Sequence, residues 1–327
     1  MDFTELIDLA SERLGGAVVV ANDDFFAPKE NLLKPGAPVF IEGKYTDRGK
    51  WMDGWETRRR RTPGFDWCII RLGLPGIIHG IVVDTSFFRG NYPEHCSLDG
   101  ATFSGVPTET ELTSDGVQWV PLLPQMPLSG DSRNPFPIQY AERVTHLRFR
   151  IFPDGGVARL RVYGEVVPDW EQLKRAGGYV DLAAAENGAL VLSCSDMFFG
   201  HRHNLIMPGR AADMSDGWET KRRRGPGHDW VIIKLGRRGR IKRVEVDTSH
   251  FKGNFPESCS LEACITGDDA TLTTSWTTVL PRTKLQAHTR HYFDEELLDT
   301  GVASHLRFSI YPDGGVSRLR VYGTLVD

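Results

Sequence analysis

The chain has 327 residues, 40% hydrophobic and 25% charged, with a formal net charge of −4. This is the composition of an ordinary soluble globular protein, and it gives no electrostatic reason for a nucleic-acid or membrane partner. There is no opening signal pattern, no apolar run of about 18 residues and no peroxisomal tail at Asp327, so a cytoplasmic protein is expected.

In chain order, Phe3, Leu6, Ile7, Ala10 and Leu14 recur at spacings of three and four, which predicts a short amphipathic helix ended by Gly15-Gly16. Ala17–Val20 reads as a strand followed by Asp23-x-Phe-Phe26. Further short β-rich stretches follow at Trp67–Leu72, Ile77–Thr85, Cys96–Leu98, His146–Phe152 and Arg159–Val166, broken by Gly, Pro and Asn. Asp169 is placed to cap a short helix that Gly177-Gly178 would end, within a linker from Pro168 to Gly178. Beyond it the text repeats. Asp53-Gly-Trp-Glu-Thr-Arg-Arg-Arg-Arg61 returns as Asp216-Gly-Trp-Glu-Thr-Lys-Arg-Arg-Arg224. Asp84-Thr-Ser-x-Phe-x-Gly-Asn-x-Pro-Glu94 returns as Asp247 to Glu257, and Pro153–Gly164 returns as Pro312–Gly323.

A period near the length of a whole domain predicts two tandem copies, residues 1–167 and 179–327, joined by residues 168–178. Many short strands with turn signals predict a sandwich or barrel of antiparallel sheet, with helix confined mainly to the domain starts. The spacing between copies shifts between Gly36 and Asp53, which places an insertion in the first copy. Cys96 and Cys259 are repeat equivalents in apolar alternation, so buried thiols are expected rather than a disulfide framework.

The residues on which the copies agree are largely polar, glycyl or aromatic, which points to surface chemistry or unusual backbone. If Trp55–Arg61 is extended, Glu56, Arg58 and Arg60 share one face, and Glu56 could orient one guanidinium and leave another for a ligand. The alternative is a solvated edge strand whose charges block sheet association. Arg59, Arg60, Arg222 and Arg223 are candidate substrate ligands. Position 58 is weaker, since Lys221 answers it. Asp66 and Asp229 each precede an apolar strand and are candidates for proton transfer, or else Asx-turn residues. His228 is a further catalytic candidate, or else incidental; it has no counterpart, Phe65 standing in its place, so the copies could be unequal as catalysts. Glu56 and Glu219 complete the catalytic candidates. Asn91, Glu94, Asn254 and Glu257 lie in the Gly-Asn-x-Pro-Glu loop and suit the N–H and carbonyl groups of a urea-like ligand; a self-satisfied loop is the alternative. Asp154 and Asp313 read as hairpin turn residues, and an arginine of the Arg159, Arg161 pair is expected at the lip of the domain face where Asp66 and Asp229 are placed. No His-x-x-x-His or Cys-x-x-Cys pattern, nucleophile elbow, Walker loop or dinucleotide fingerprint is present, and the metal question stays open to a divalent ion such as Mn²⁺.

These long motifs, each present twice, resemble the allantoicase (allantoate amidinohydrolase) family over nearly the whole chain. The resemblance implies two tandem jelly-roll β-sandwich domains of the galactose-binding-like type. It also implies hydrolysis of allantoate to ureidoglycolate and urea in purine breakdown, within a homo-oligomer. The chemistry suits the residues: arginine for a carboxylate, Asn and Glu for ureido groups, and Asp, Glu or His to move protons. The other class considered is a non-catalytic carbohydrate- or small-ligand-binding sandwich. Charge separates them, since sugar sites favour aromatic platforms and neutral polar groups, whereas each copy here repeats several arginines and carboxylates.

Overall fold

The computed structural model describes residues 2–267 and 269–326; Met1, Asp268 and Asp327 lie outside it. The chain divides into two units, Met1–Val167 and Pro168–Asp327, each a jelly-roll β-sandwich.

In the first unit the two sheets share one long strand, Asp66–Asp84. The sequence reads as two strands there, but Gly73-Leu-Pro-Gly76 bends the chain without ending it. Residues before the bend pair with Val144–Phe152 and Ala17–Ala21. Residues after it pair with Arg159–Val166 and Arg133–Pro137. The first sheet extends from Val144–Phe152 through His95–Ala101 to Val120–Pro127. Alternation then builds the core, because period two sends Cys68, Ile70, Leu98, Leu147, Phe149 and Ile151 to the inner face, where all are fully buried. Ile81, Val83, Leu160 and Val162 meet them from the other sheet. The second unit repeats the plan around Asp229–Asp247.

The helix expected over Asp2–Leu14 does not form. Two 3-10 turns, Phe3–Glu5 and Glu12–Leu14, flank a bridge at Ile7–Asp8 that pairs with Tyr163 and Gly164. Its apolar residues sit at helical spacing, yet an edge pairing outweighs a propensity worth only tenths of a kcal/mol per residue, about 0–0.7. Trp170–Ala176 is a helix, with the Asp169 carboxylate accepting from Gln172 N and Gly177 in a positive-φ conformation. The residues between Gly36 and Asp53 carry a small hairpin, Tyr45–Thr46 with Gly49–Lys50. Cys68, Cys96, Cys259 and Cys264 are buried free thiols, and burial pushes the pKa of Cys96 and Cys259 up to about 12.

The Pro-Asp-Gly-Gly turn packs beneath the Gly-Asn-x-Pro loop. Gly155 has φ +138°, and a Cβ there would lie 2.7 Å from Pro93 N. A Cβ on Gly156 would lie 1.9 Å from the Phe88 ring, which is fully buried. Gly156→Ala is therefore expected to cost at least the roughly 1–3 kcal/mol of ordinary overpacking, read as a lower urea midpoint at unchanged m-value.

Candidate active site

Three motifs far apart in sequence converge at one end of each sandwich. Trp55 is fully buried, and its indole donates to Asp23 O at 2.8 Å. That anchors a two-residue strand, Trp55–Glu56, which pairs with Gly156–Val157 of the Pro-Asp-Gly-Gly turn. The turn is stitched in place by Thr57 N to Gly155 O and Gly155 N to Thr57 Oγ1, both at 3.1 Å. Gly156 N donates to Asn91 O at 2.7 Å, which docks the third motif.

In that third motif Phe87 holds φ +70°, and His250, its equivalent, +71°. A bulky residue in the left-handed region needs outside support. Asp131 Oδ1 accepts from Phe87 N at 2.8 Å, and His288 Nδ1 from His250 N at 2.7 Å. The twist sends Phe88 into the core and leaves Asn91 at the surface.

There Asn91 Nδ2 donates to Glu56 Oε1 at 2.6 Å, and Asn254 donates likewise to Glu219. Asn254 Nδ2 also lies 3.4 Å from Met214 Sδ. Glu56 is half-buried, and burial raises its carboxyl more than the Asn91 hydrogen bond lowers it. The Glu and Asn of the two motifs thus form one pair in each copy.

Asp66 and Asp229 occupy a different setting. Each is 1% exposed. Asp66 Oδ1 takes Arg60 Nη1 at 2.7 Å and Asn22 Nδ2 at 2.8 Å. Asp229 pairs with Arg223 and accepts from Ser195 Oγ at 2.8 Å. The same arginines donate their backbone N–H to Asp154 and Asp313, at 2.8 and 2.7 Å. Those two turn aspartates therefore also hold the arginine segment in place.

The extended run expected through Arg61 ends at Glu56. Thr57 is buried, but the alternation breaks after it, and Arg59 and Arg61 are exposed, as are Arg222 and Arg224. Arg58 and Lys221 are tied to Asp23 and Asp196. Arg159 and Arg161 do not reach the lip: Arg159 is buried on Asp53 at 2.7 Å, and Arg161 lies along Asp8, Pro35 O and Gly36 O. Strand Arg159–Val166 lies on the second sheet, which carries both side chains away from the turn. Glu94 is exposed, and Glu257 pairs with Arg282 at 2.9 Å. His228 packs at a tilt against Tyr311 in a cavity with Arg282 and Arg307. Burial first, then Arg307 and Arg223, lower its pKa, which favours the neutral imidazole.

Sequence reasoning missed Asn22, Ser195, Asp23 and Asp196 as supports. The repeated Asp-x-Phe-Phe signal was visible, but not what it would touch. Among the described residues no group of three or more His, Cys, Asp or Glu is gathered as metal ligands.

The family model described as the allantoicase repeat matches residues 7–167 and 180–326. A probable allantoicase of Ralstonia nicotianae is 50% identical, covering 99% of this chain and 96% of its own. An allantoicase of Dictyostelium discoideum is 48% identical, covering 99% of this chain and 88% of its own. The crystal structure of allantoicase from Saccharomyces cerevisiae superposes with a TM-score of 0.82 at 38% identity, over 97% of this chain and 92% of that one.

Proposed function

The chain belongs to the allantoicase family, and from that premise we propose that it hydrolyses allantoate to ureidoglycolate and urea, at a site built on the Glu–Asn pairs. The observation that carries this reading is the pairing of Glu56 with Asn91 and of Glu219 with Asn254, formed by the same three motifs in both copies.

The residues take the following roles. Asn91 and Asn254 hold the glutamate carboxyl and present amide groups to a ureido arm. Glu56 or Glu219 acts as general acid toward the leaving ureido nitrogen as the carbon–nitrogen bond breaks and its electron pair moves to nitrogen. Water adds to the central carbon and returns a proton to the carboxylate. The products are ureidoglycolate and urea, with atoms and charge balanced. Burial of Glu56 favours the protonated form that this step requires. Arg59 and Arg222, exposed and three residues beyond each glutamate, serve the substrate carboxylate. Arg60 and Arg223 are committed to Asp66 and Asp229 and act as positioning residues. Glu94, Glu257 and His228 have no assigned part in this step.

A purified sample is expected to release urea from allantoate, with or without Mn²⁺, and to leave cyclic allantoin untouched. Absence of urea across pH 6–9 under both conditions overturns the reading. A homo-oligomer, carried by the family reading alone, is checked by light scattering. A cytoplasmic location is supported by the buried free thiols Cys68, Cys96, Cys259 and Cys264 and is checked by cell fractionation. No helix among the described residues is long and apolar enough to cross a membrane.

A further inference from the structure

We propose that a cavity on the outer face of the first unit binds a small organic monocarboxylate bearing a flat amide or ureido group. The cavity measures about 470 Å³, within the range of about 300–1,000 Å³ typical of small-molecule sites. Its lining includes neither Glu56 nor Asn91.

Strand register builds the floor. Arg150 lies opposite Trp67 on one neighbour and Ser97 on the other, and Arg148 lies opposite Ile69 and Asp99. Residues opposite in register share a face, so these six form one cross-strand patch. Both guanidinium groups converge on a single carboxylate oxygen, Asp99 Oδ2, at 2.9 Å from Arg148 and 2.5 Å from Arg150. Two positive groups on one 8%-exposed carboxylate leave one positive charge over. Asp115, the one acid among the lining residues, is exposed at the rim, where solvent screens it. Aromatic rings wall the site: Trp119 stands 4.9 Å from Arg148, and Phe65 stands 5.5 Å from Arg150.

The second copy serves as an internal control. Ser260, the equivalent of Ser97, is satisfied by Tyr311 Oη at 3.1 Å. The first copy has Phe152 in place of Tyr311, with no hydroxyl, and Ser97 Oγ is buried without a partner. Ser309 stands where the first copy has Arg150, whose Nε is likewise buried and unpartnered. In the second copy each cavity arginine has its own acid, Arg307 with Glu262 and Arg282 with Glu257. The first copy alone combines a surplus charge with two unsatisfied donors in the same cross-strand row. Of these two donors only Arg150 belongs to the lining, and its unsatisfied group favours an acceptor ligand; one surplus charge favours a monoanion, and aromatic walls favour a flat group. The product ureidoglycolate belongs to this class, and only that identification rests on the hydrolysis proposed above.

The test is calorimetric titration of the full chain with N-carbamoylglycine as the probe, with urea release from allantoate measured in parallel. That separates failure of the hydrolytic reading from failure of this site. A saturable event distinct from any at the Glu–Asn pairs is expected, and it weakens tenfold or more in Arg150→Ser, about what loss of a charge-assisted hydrogen bond implies. Trp119→Ala should weaken it too, and Trp119 is partly exposed, so that variant leaves the core untouched. The event should persist in Glu56→Gln and Glu219→Gln. Three results would each overturn the inference: no saturable binding, wild-type binding in both cavity variants, or displacement of the probe by equimolar inorganic phosphate.

Discussion

Replacing Glu56 and Glu219 together by glutamine is expected to lower kcat for urea release by roughly 10²–10⁴-fold, the range for loss of a general acid–base group. Glutamine keeps the shape and still offers a carbonyl oxygen to Asn91 or Asn254, so Tm should hold. It cannot deliver a proton to a poor nitrogen leaving group. The single variants apportion the two copies, because a copy without turnover can lose its carboxyl at no kinetic cost. Asp229→Asn supplies the contrast. A carboxylate 1% exposed and clamped by Arg223 and Ser195 is placed to hold an arginine. Its loss should therefore lower Tm, and reach kcat only through misplacement of the segment. If Asp229→Asn keeps Tm but abolishes turnover while the glutamate variants stay active, the roles are reversed.

Asp53→Asn should produce the largest loss of stability. Arg159 and Asp53 form an ion pair with side chains 3% and 7% exposed, and the guanidinium also donates to Asp53 O and Ala158 O. Neutralising one partner leaves the other charge buried, which costs about 3–5 kcal/mol. At about 2–4 °C per kcal/mol for a domain of this size, Tm should drop by roughly 6–20 °C. Burial pushes the Asp53 carboxyl up, but Arg159, Val39 N and Lys34 together hold it below its ordinary value of 3.8. The sign follows from a depressed folded pKa. The pair's contribution is fully present above the unfolded value and drains away as pH falls through the lower folded one. Wild-type protein should thus lose this increment only below about pH 4, while Asp53→Asn lacks it at every pH. A variant melting within a degree or two of wild type at pH 7 would remove the pair from the account.

Much of the sandwich was legible because alternation and repetition both report on it. Cys68, Ile70, Leu147 and Phe149 alternate with residues facing outward, and the same pattern returns around Asp229–Asp247. The convergence of three repeated motifs was legible as shared vocabulary. Which atoms meet was not, because the pairing of Glu56 with Asn91 depends on Gly156 donating to Asn91 O and on the positive φ of Phe87. Neither leaves a periodic trace. The Asp2–Leu14 segment misled because its apolar spacing suits a helix while its backbone is taken by an edge pairing with Tyr163 and Gly164. Asp66 read equally well as a catalyst or a turn residue. The Asn22 side chain that fixes it lies 44 positions away. Arg148, Arg150 and Asp99 gave no signal as a group, since only strand register brings them together.

The most direct measurement is a crystal structure of the protein with a non-hydrolysable allantoate analogue. A ureido arm is expected against Glu219 and Asn254, or against Glu56 and Asn91, with the analogue carboxylate toward Arg222 or Arg59. An analogue bound while both Glu–Asn pairs stay empty would contradict the account.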